Sequence, residues 1–363
     1  MTRHLIGAVL ALLLSLAPVR ADVVIGVAGP LSGAFAPVGD EIVAGVTVAV
    51  DRLNAAGGIA GERVVVETAD DKCDATTGAA VANQLVGRGA ALVVGHACTA
   101  AALPAASVYA GNGIVFISPA ATNPRLTDEG VGPGVFRLAP RSDGQPRAIG
   151  DYLAEVFAGD RIAFVHDGGV YGQGLAEGAR AVFEATGTRA VVTQSYTPGE
   201  DSQNALIGVL QDAVVDVVVI GGLHADAAVI ASQMRSRGLG ALIVGGEALG
   251  LEEFRDLAGP AAEGVVFALP IDLARLPEAQ TAVADFRALG IEPTGATLPA
   301  FAAVELYATA VEEAGDDAFS AVIAELAGGA FETVIGSVSF DGKGDRSGSG
   351  WALNVWRDGA PVP

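Results

Sequence analysis

From Val23 onward the chain alternates short runs rich in valine and isoleucine with longer alanine-rich stretches whose apolar positions recur at helical spacing. That alternation is the pattern of βαβ units: a strand covered on both faces needs an unbroken apolar run, whereas a covering helix needs only one apolar stripe. Residues 23–28, 64–68, 91–94 and 114–117 are too apolar to alternate, and predict buried parallel strands. Residues 40–54 carry apolar side chains at 42, 43, 46, 49, 50 and 53, one continuous helical face, and the Gly57-Gly58 pair ends it. A second series follows, with strands at 162–165, 190–195, 215–220 and 242–244 and helices at 172–186, 203–212 and 225–237. The count implies two Rossmann-like halves, an α/β fold of parallel-rich sheets flanked by helices. Residues 137–145, with Pro140 and Gly144, read as a crossover between them. Further crossovers are needed if the late helices 277–289 and 298–313 return to the first half. No tandem period of 20 to 50 residues occurs, which argues against a solenoid.

The amino terminus reads differently. Arg3 and His4 precede an apolar run over 5–17, followed by Pro18 and the small-residue site Val19-Arg20-Ala21. This is the layout of a secretory signal peptide, with cleavage expected after Ala21. The run is shorter than the roughly 20 residues a membrane-spanning helix needs. Cleavage leaves 342 residues (363 minus 21) and, with Arg3 and Arg20 removed, a net charge near −23 (−21 minus 2). A chain so acidic repels phosphate backbones and anionic lipid surfaces, so nucleic-acid and membrane-surface partners are poor candidates. Export also bears on the two cysteines. Cys73 and Cys98 would form one bridge in an oxidising compartment, two buried thiols being the alternative. His96 alone is too little for a metal site.

In doubly wound sheets, ligands gather at the carboxyl ends of strands, where helix N-termini present unpaired N–H groups. The informative turns are therefore 29–33, 95–99, 118–122, 166–172 and 245–247. Enzyme motifs are weak. Gly172, Gly174 and Gly178 miss the dinucleotide spacing by one residue, and there is no phosphate-cradling loop with Lys-Ser/Thr, nucleophile elbow or paired-histidine metal motif. The turn Asp341-Gly342-Lys343-Gly344-Asp345 lacks the length and final glutamate of a calcium loop and reads as a hairpin.

The stretches GPLSGAFAPVGD, LNAAGGIAG, DDKCD, GHACT, ISPAATNP, VHDGGVYGQG, GGE and FDGKGD resemble, in order and spacing, the Leu/Ile/Val-binding proteins of bacterial ABC transporters, which are type I periplasmic binding proteins. The resemblance spans the mature chain. It implies two lobes joined by a multi-crossover hinge, 22–140 plus 271–346 and 141–270 plus 347–363, with the Cys73–Cys98 pair bridged. It also implies a ligand set. Thr99, beside Cys98, would donate its hydroxyl and N–H to an amino acid's carboxylate; Ala120 would offer its carbonyl to the ammonium; Thr122 could serve both ends; Glu247 would accept from the ammonium. Tyr171 matches a tyrosine that reaches the ligand on closure. Three positions depart from the pattern: Val38 and Leu223 replace an aromatic residue and a tyrosine, and Phe301 replaces another tyrosine. The expected activity is solute capture, without cofactor or catalysis, by a monomeric periplasmic receptor that delivers a branched-chain or related amino acid to an inner-membrane ABC permease. An exported sensor of small amides or aromatic acids acting on a regulatory partner is the alternative.

Overall fold

The computed structural model describes residues 22–33, 35–348 and 350–363; the expected signal peptide lies outside the described residues. The strands, in chain order, are β1 (Val23–Gly29), β2 (Val64–Asp70), β3 (Ala90–Gly95), β4 (Val115–Ser118), β5 (Val135–Arg137), β6 (Ile162–His166) and β7 (Val192–Ser195). They continue with β8 (Val217–Gly221), β9 (Leu242–Gly245), β10 (Val266–Pro270), β11 (Phe331–Thr333), β12 (Gly336–Val338), β13 (Trp351–Arg357) and β14 (Ala360–Val362). The α-helices are α1 (Ala36–Ala56), α2 (Ala75–Gly87), α3 (Thr99–Gly111), α4 (Arg125–Asp128), α5 (Gly144–Val156) and α6 (Val170–Glu184). After them come α7 (Asn204–Asp212), α8 (His224–Ser236), α9 (Glu252–Ala258), α10 (Gln280–Ala288), α11 (Thr297–Ala314) and α12 (Phe319–Gly328). No helix among the described residues is long and apolar enough to cross a membrane.

Two compact units result. The first holds the residues up to Pro119, Val131–Phe136 and Glu278–Gly344; the second holds Ala120–Gly130, Arg137–Pro277 and Asp345–Pro363. In the first, a parallel-rich sheet runs β2-β1-β3-β4-β5, and β1 pairs in parallel with both β2 and β3. Helix α1 packs on α11, and Gly45 is what lets them approach: a Cβ there would lie 2.3 Å from the Thr297 carbonyl oxygen. The late helices α10 and α11 therefore do belong with the amino-terminal strands. In the second unit the order is β14-β13-β10-β9-β8-β6-β7. Its interior strand β8 is buried at every position, as a strand flanked by neighbours and covered by helices must be.

Two apolar runs are not fully buried. β2 and β7 are edge strands, so one flank of each has no neighbour among the described residues, and their burial is mixed. The antiparallel ribbon β13–β14, which extends the second sheet beside β10, has no counterpart in the βαβ reading, because its pairing partner lies far away in sequence. The 341–345 segment is a tight turn, closed by the Gly344 N–H donating to the Asp341 carbonyl at 3.0 Å. Asp345 also forms a parallel bridge with Arg137.

That contact belongs to a buried polar network. Arg137 is 0% exposed and Asp345 3%. The Arg137 Nε donates to Asp345 Oδ1 at 2.7 Å, its Nη1 to the Asn123 carbonyl at 2.6 Å and its Nη2 to Thr127 Oγ1 at 2.7 Å. The second oxygen of Asp345 accepts from Arg141 Nη1 at 2.7 Å and from the Thr127 hydroxyl at 2.9 Å. Each of the three segments of the second unit thus contributes residues tied to one carboxylate.

Breaking a buried pair from one side costs more than the pair is worth, because the surviving charge has neither water nor partner. Arg137→Met should lower the unfolding free energy by about 3–5 kcal/mol in urea titrations; a loss under about 1 kcal/mol would mean that water already reaches Asp345. Joint replacement of Cys73 and Cys98 by serine opens a loop closed across a sequence separation of 25. It should cost about 3 kcal/mol on chain-entropy grounds, read in the same titration.

Candidate functional site

In the first unit the carboxyl ends of β1 to β4 are held by hydrogen bonds between neighbouring turns. The Leu31 N–H and Ser32 hydroxyl donate to the Asp70 carboxylate at the end of β2. The Ser32 hydrogen bond holds that carboxyl below its usual range, helped by N–H groups of Leu31 and Lys72 and opposed by desolvation. Asp71, fully buried, accepts from the Cys73 N–H at 2.8 Å and lies 2.7 Å from His96 Nδ1, whose Nε2 lies 3.0 Å from the Tyr109 hydroxyl on α3. His96 is therefore a structural residue, bolting the end of β3 to α3. The Cys73–Cys98 disulfide, Cα to Cα 5.2 Å, lies beside it and fixes the entry to α3.

Thr99 is the first residue of α3, half-buried, and Cys98 at the N-cap gives no side-chain cap. The first turn contains no acidic residue. Its N–H groups and partial positive charge are arranged to receive an anion, and the Thr99 hydroxyl adds a donor. Val38, half-buried, sits in the first turn of α1. Phe35, at the N-cap of α1, is 57% exposed, an aromatic face that the sequence reading did not single out. Phe301 is 1% exposed within α11, its ring 6.0 Å from that of Phe286 in an edge contact. In this conformation its packing partner is the core.

Ala120 and Thr122 follow β4 and group with the second unit. Ala120 is half-buried and Thr122 exposed, and the Thr122 carbonyl accepts from the Ser142 N–H at 2.9 Å. The strand ends of β6, β8 and β9 carry the rest. Tyr171 lies in the first turn of α6, Leu223 at the N-cap of α8, 56% exposed, and Glu247 in the short 3-10 turn after β9, exposed. The fold brings Tyr171 and Glu247 together. Burial, and then the charge of Glu247, push the Tyr171 hydroxyl up to about 12, while N–H groups of Ala248 and Glu247 donate toward it and oppose the rise.

The tyrosine is aimed by groups that periodicity could not reveal. Its hydroxyl donates to Gln145 Oε1 at 3.1 Å, and Gln145 is buried on α5. Gly246 makes the approach possible, since a Cβ there would lie 2.2 Å from the Tyr171 oxygen. The double glycine was the one sequence signal of this crowding. Beside them Asp167 caps its own turn through the Gly169 N–H at 2.8 Å. Burial raises the Tyr196 hydroxyl, with contributions from the charges of Asp167 and Asp226. Three carboxylates, Asp167, Asp226 and Glu247, thus gather at these strand ends, a field that favours a cation.

Comparison with known proteins shows the family. The sequence profile of the periplasmic binding protein family matches residues 22–360. An amino acid binding protein of Pseudomonas aeruginosa is 38% identical over 341 residues, covering 93% of this chain and 91% of that protein. The Leu/Ile/Val-binding protein homolog 1 of Brucella melitensis is likewise 38% identical, covering 94% and 92%. Among solved structures, an ABC transporter substrate-binding protein of Desulfitobacterium hafniense in complex with Leu aligns with a TM-score of 0.67 at 29% identity, covering 94% and 99%. The chain belongs to the periplasmic binding protein family, and it is a solute-binding protein rather than an enzyme.

Proposed function

We propose that this chain is the solute receptor of an ABC importer and that it captures a branched-chain or closely related amino acid between its two units, then hands it to an inner-membrane permease. The observation that carries the reading is a division of charge. The first unit offers an uncapped helix N-terminus at Thr99 with no acid in its first turn, and the second offers Glu247 among further carboxylates. A zwitterion has complementary ends, and burying either unpaired costs several kcal/mol. Relatives with amino acid and Leu/Ile/Val-binding in their names, and a neighbour holding leucine, support the same class.

In this reading Thr99 takes the carboxylate, with Thr122 beside it. The Ala120 carbonyl and Glu247 take the ammonium. Tyr171, already aimed by Gln145, covers the ligand on closure, and Val38, Leu223 and Phe35 face its side chain. Closure follows because the ligand contacts both units only in the closed state, and a ligand shifts an equilibrium by its differential affinity for the two states. The lobes of this reading are divided near residues 140, 270 and 346, except that Ala120–Gly130 groups with the second unit, and the receptor works as a periplasmic monomer after export.

Calorimetry with leucine, isoleucine, valine, phenylalanine and small amides tests the proposal. Binding of at least one amino acid, weakened tenfold or more by Glu247→Gln, is expected; amides or aromatic acids binding while every amino acid fails would refute it and favour the sensor reading. Leu223→Tyr restores a phenolic hydroxyl to the second unit. A hydrogen bond to a charged group contributes about 1.5–3 kcal/mol, so the variant should bind leucine about ten- to a hundredfold tighter. Unchanged affinity would place residue 223 away from the charged end of the ligand.

A further inference from the structure

Helix α3 is interrupted close to the turn that carries Thr99. Pro104, inside the helix, has no N–H to offer the Ala100 carbonyl, and a proline ring in that place crowds the carbonyl four residues back. Proline costs a helix little only in its first turn, where the N–H has no intrahelical partner anyway. The turn before the break has no side-chain cap, since Cys98 at the N-cap makes no cap hydrogen bond. The Ala101 and Ala102 N–H groups share one acceptor, the Cys98 carbonyl, at 3.0 and 2.9 Å.

A side-chain strap runs past this break. Its members are Asp71, His96 and Tyr109, each 0% exposed. His96 lies ahead of the helix and Tyr109 beyond Pro104, with His96 Nε2 3.0 Å from the Tyr109 oxygen and Nδ1 2.7 Å from the Asp71 carboxylate. Burial, and then the charge of Asp71, hold the Tyr109 hydroxyl above its ordinary value, so the phenol keeps its proton. Its one hydrogen-bond partner among the described residues is His96 Nε2. An enclosed O–H needs an acceptor, so Tyr109 donates to Nε2, the ring proton sits on Nδ1, and Nδ1 donates to Asp71. The rings of His96 and Tyr109 also pack on Phe116 of β4, centroids 5.8 and 5.2 Å away.

The far end of the strap is anchored as well. Asp71 accepts from the Cys73 N–H at 2.8 Å, and Lys72 and Cys73 stand at φ 53° and 55°, a left-handed conformation that residues other than glycine seldom adopt. Cys73 is bridged to Cys98, the N-cap of α3. Both ends of the strap therefore return to this one helix. We infer that Tyr109, His96 and Asp71 are positioning residues for the ligand's carboxylate: their hydrogen bonds hold the first turn of α3, and with it the hydroxyl and N–H of Thr99, in place across the break at Pro104. The inference rests on the receptor reading, in which Thr99 takes that carboxylate.

Two measurements on the exported protein test it: amide hydrogen exchange followed by NMR without ligand, and calorimetry with leucine, isoleucine, valine and phenylalanine. Tyr109→Phe keeps the ring and removes the hydroxyl. It should speed exchange of the Ala101 and Ala102 N–H groups about tenfold and weaken whichever of these amino acids bind by about fivefold, the worth of one net hydrogen bond. His96→Asn keeps a donor toward Asp71 but loses Nε2, and should act alike, so misfolding of one variant leaves the other readable. Adding Pro104→Ala to Tyr109→Phe returns an N–H to the helix for the Ala100 carbonyl, and should bring exchange and affinity back to within about twofold of the parent chain. A hydroxyl that served only the stability of the core would not be rescued in affinity from residue 104. Unchanged affinity in the variants, or affinity that Pro104→Ala fails to restore, overturns the inference and leaves the receptor reading standing. A parent chain that binds none of the four amino acids overturns both.

Discussion

The carboxylate of Asp345 is the constraint on which the second unit's construction rests. The chain enters that unit three times, at Ala120, Arg137 and Asp345, and each entry is a free segment unless something fixes it. Asp345 fixes all three: it accepts from Arg137 and Arg141 of the second segment and from Thr127 of the first, and it is itself the start of the third. Arg137 completes the set by donating to the Asn123 carbonyl. A buried ion pair seldom adds net stability over a well-packed apolar substitute. Its contribution here is direction, because the planar guanidinium with its several donors admits few arrangements of the backbone around it. The turn Ala120–Thr122 is anchored in the same region through Ser142, so residues assigned to the ligand inherit their position from this network.

How much of this was legible in the sequence depends on the range of the interaction. Strands such as β1 and β8 declared themselves because burial on both faces demands an unbroken apolar run, and the helix starting at Ala36 because its stripe is local. Whether a strand lies at an edge is set by what pairs beside it, and nothing within 64–70 or 192–195 encodes that absence of a neighbour. The same holds for Arg137 and Asp345, separated by 208 positions. The sequence placed Arg137 at the start of a crossover and Asp345 in a turn, and only the fold shows both buried. At the site, a general rule of doubly wound sheets pointed to the turns that hold Thr99, Tyr171 and Glu247, and the family resemblance singled out those residues within them. Gln145, which orients Tyr171 from another helix, left no such trace.

The electrostatics also explain why so acidic a chain suits a zwitterion and not simply a cation. With a net charge of −21, the long-range field repels any carboxylate, so the ligand's negative end needs local compensation that the field cannot erase. The first unit provides it by neutralising its own acids. Asp71 is spent on His96 and the Cys73 N–H, and Asp70 on Ser32, Leu31 and Lys72. The N-terminus of α3 is left as the dominant local charge, and it is positive. In the second unit the reverse holds at Glu247, whose exposed carboxylate stands in the first turn after its strand. A carboxylic acid without an amine satisfies the first set and is repelled by the second; an amine without a carboxylate does the opposite. In the proposed reading, selection for an α-amino acid follows from where each unit spends its acids, before any contact with the ligand's side chain is considered.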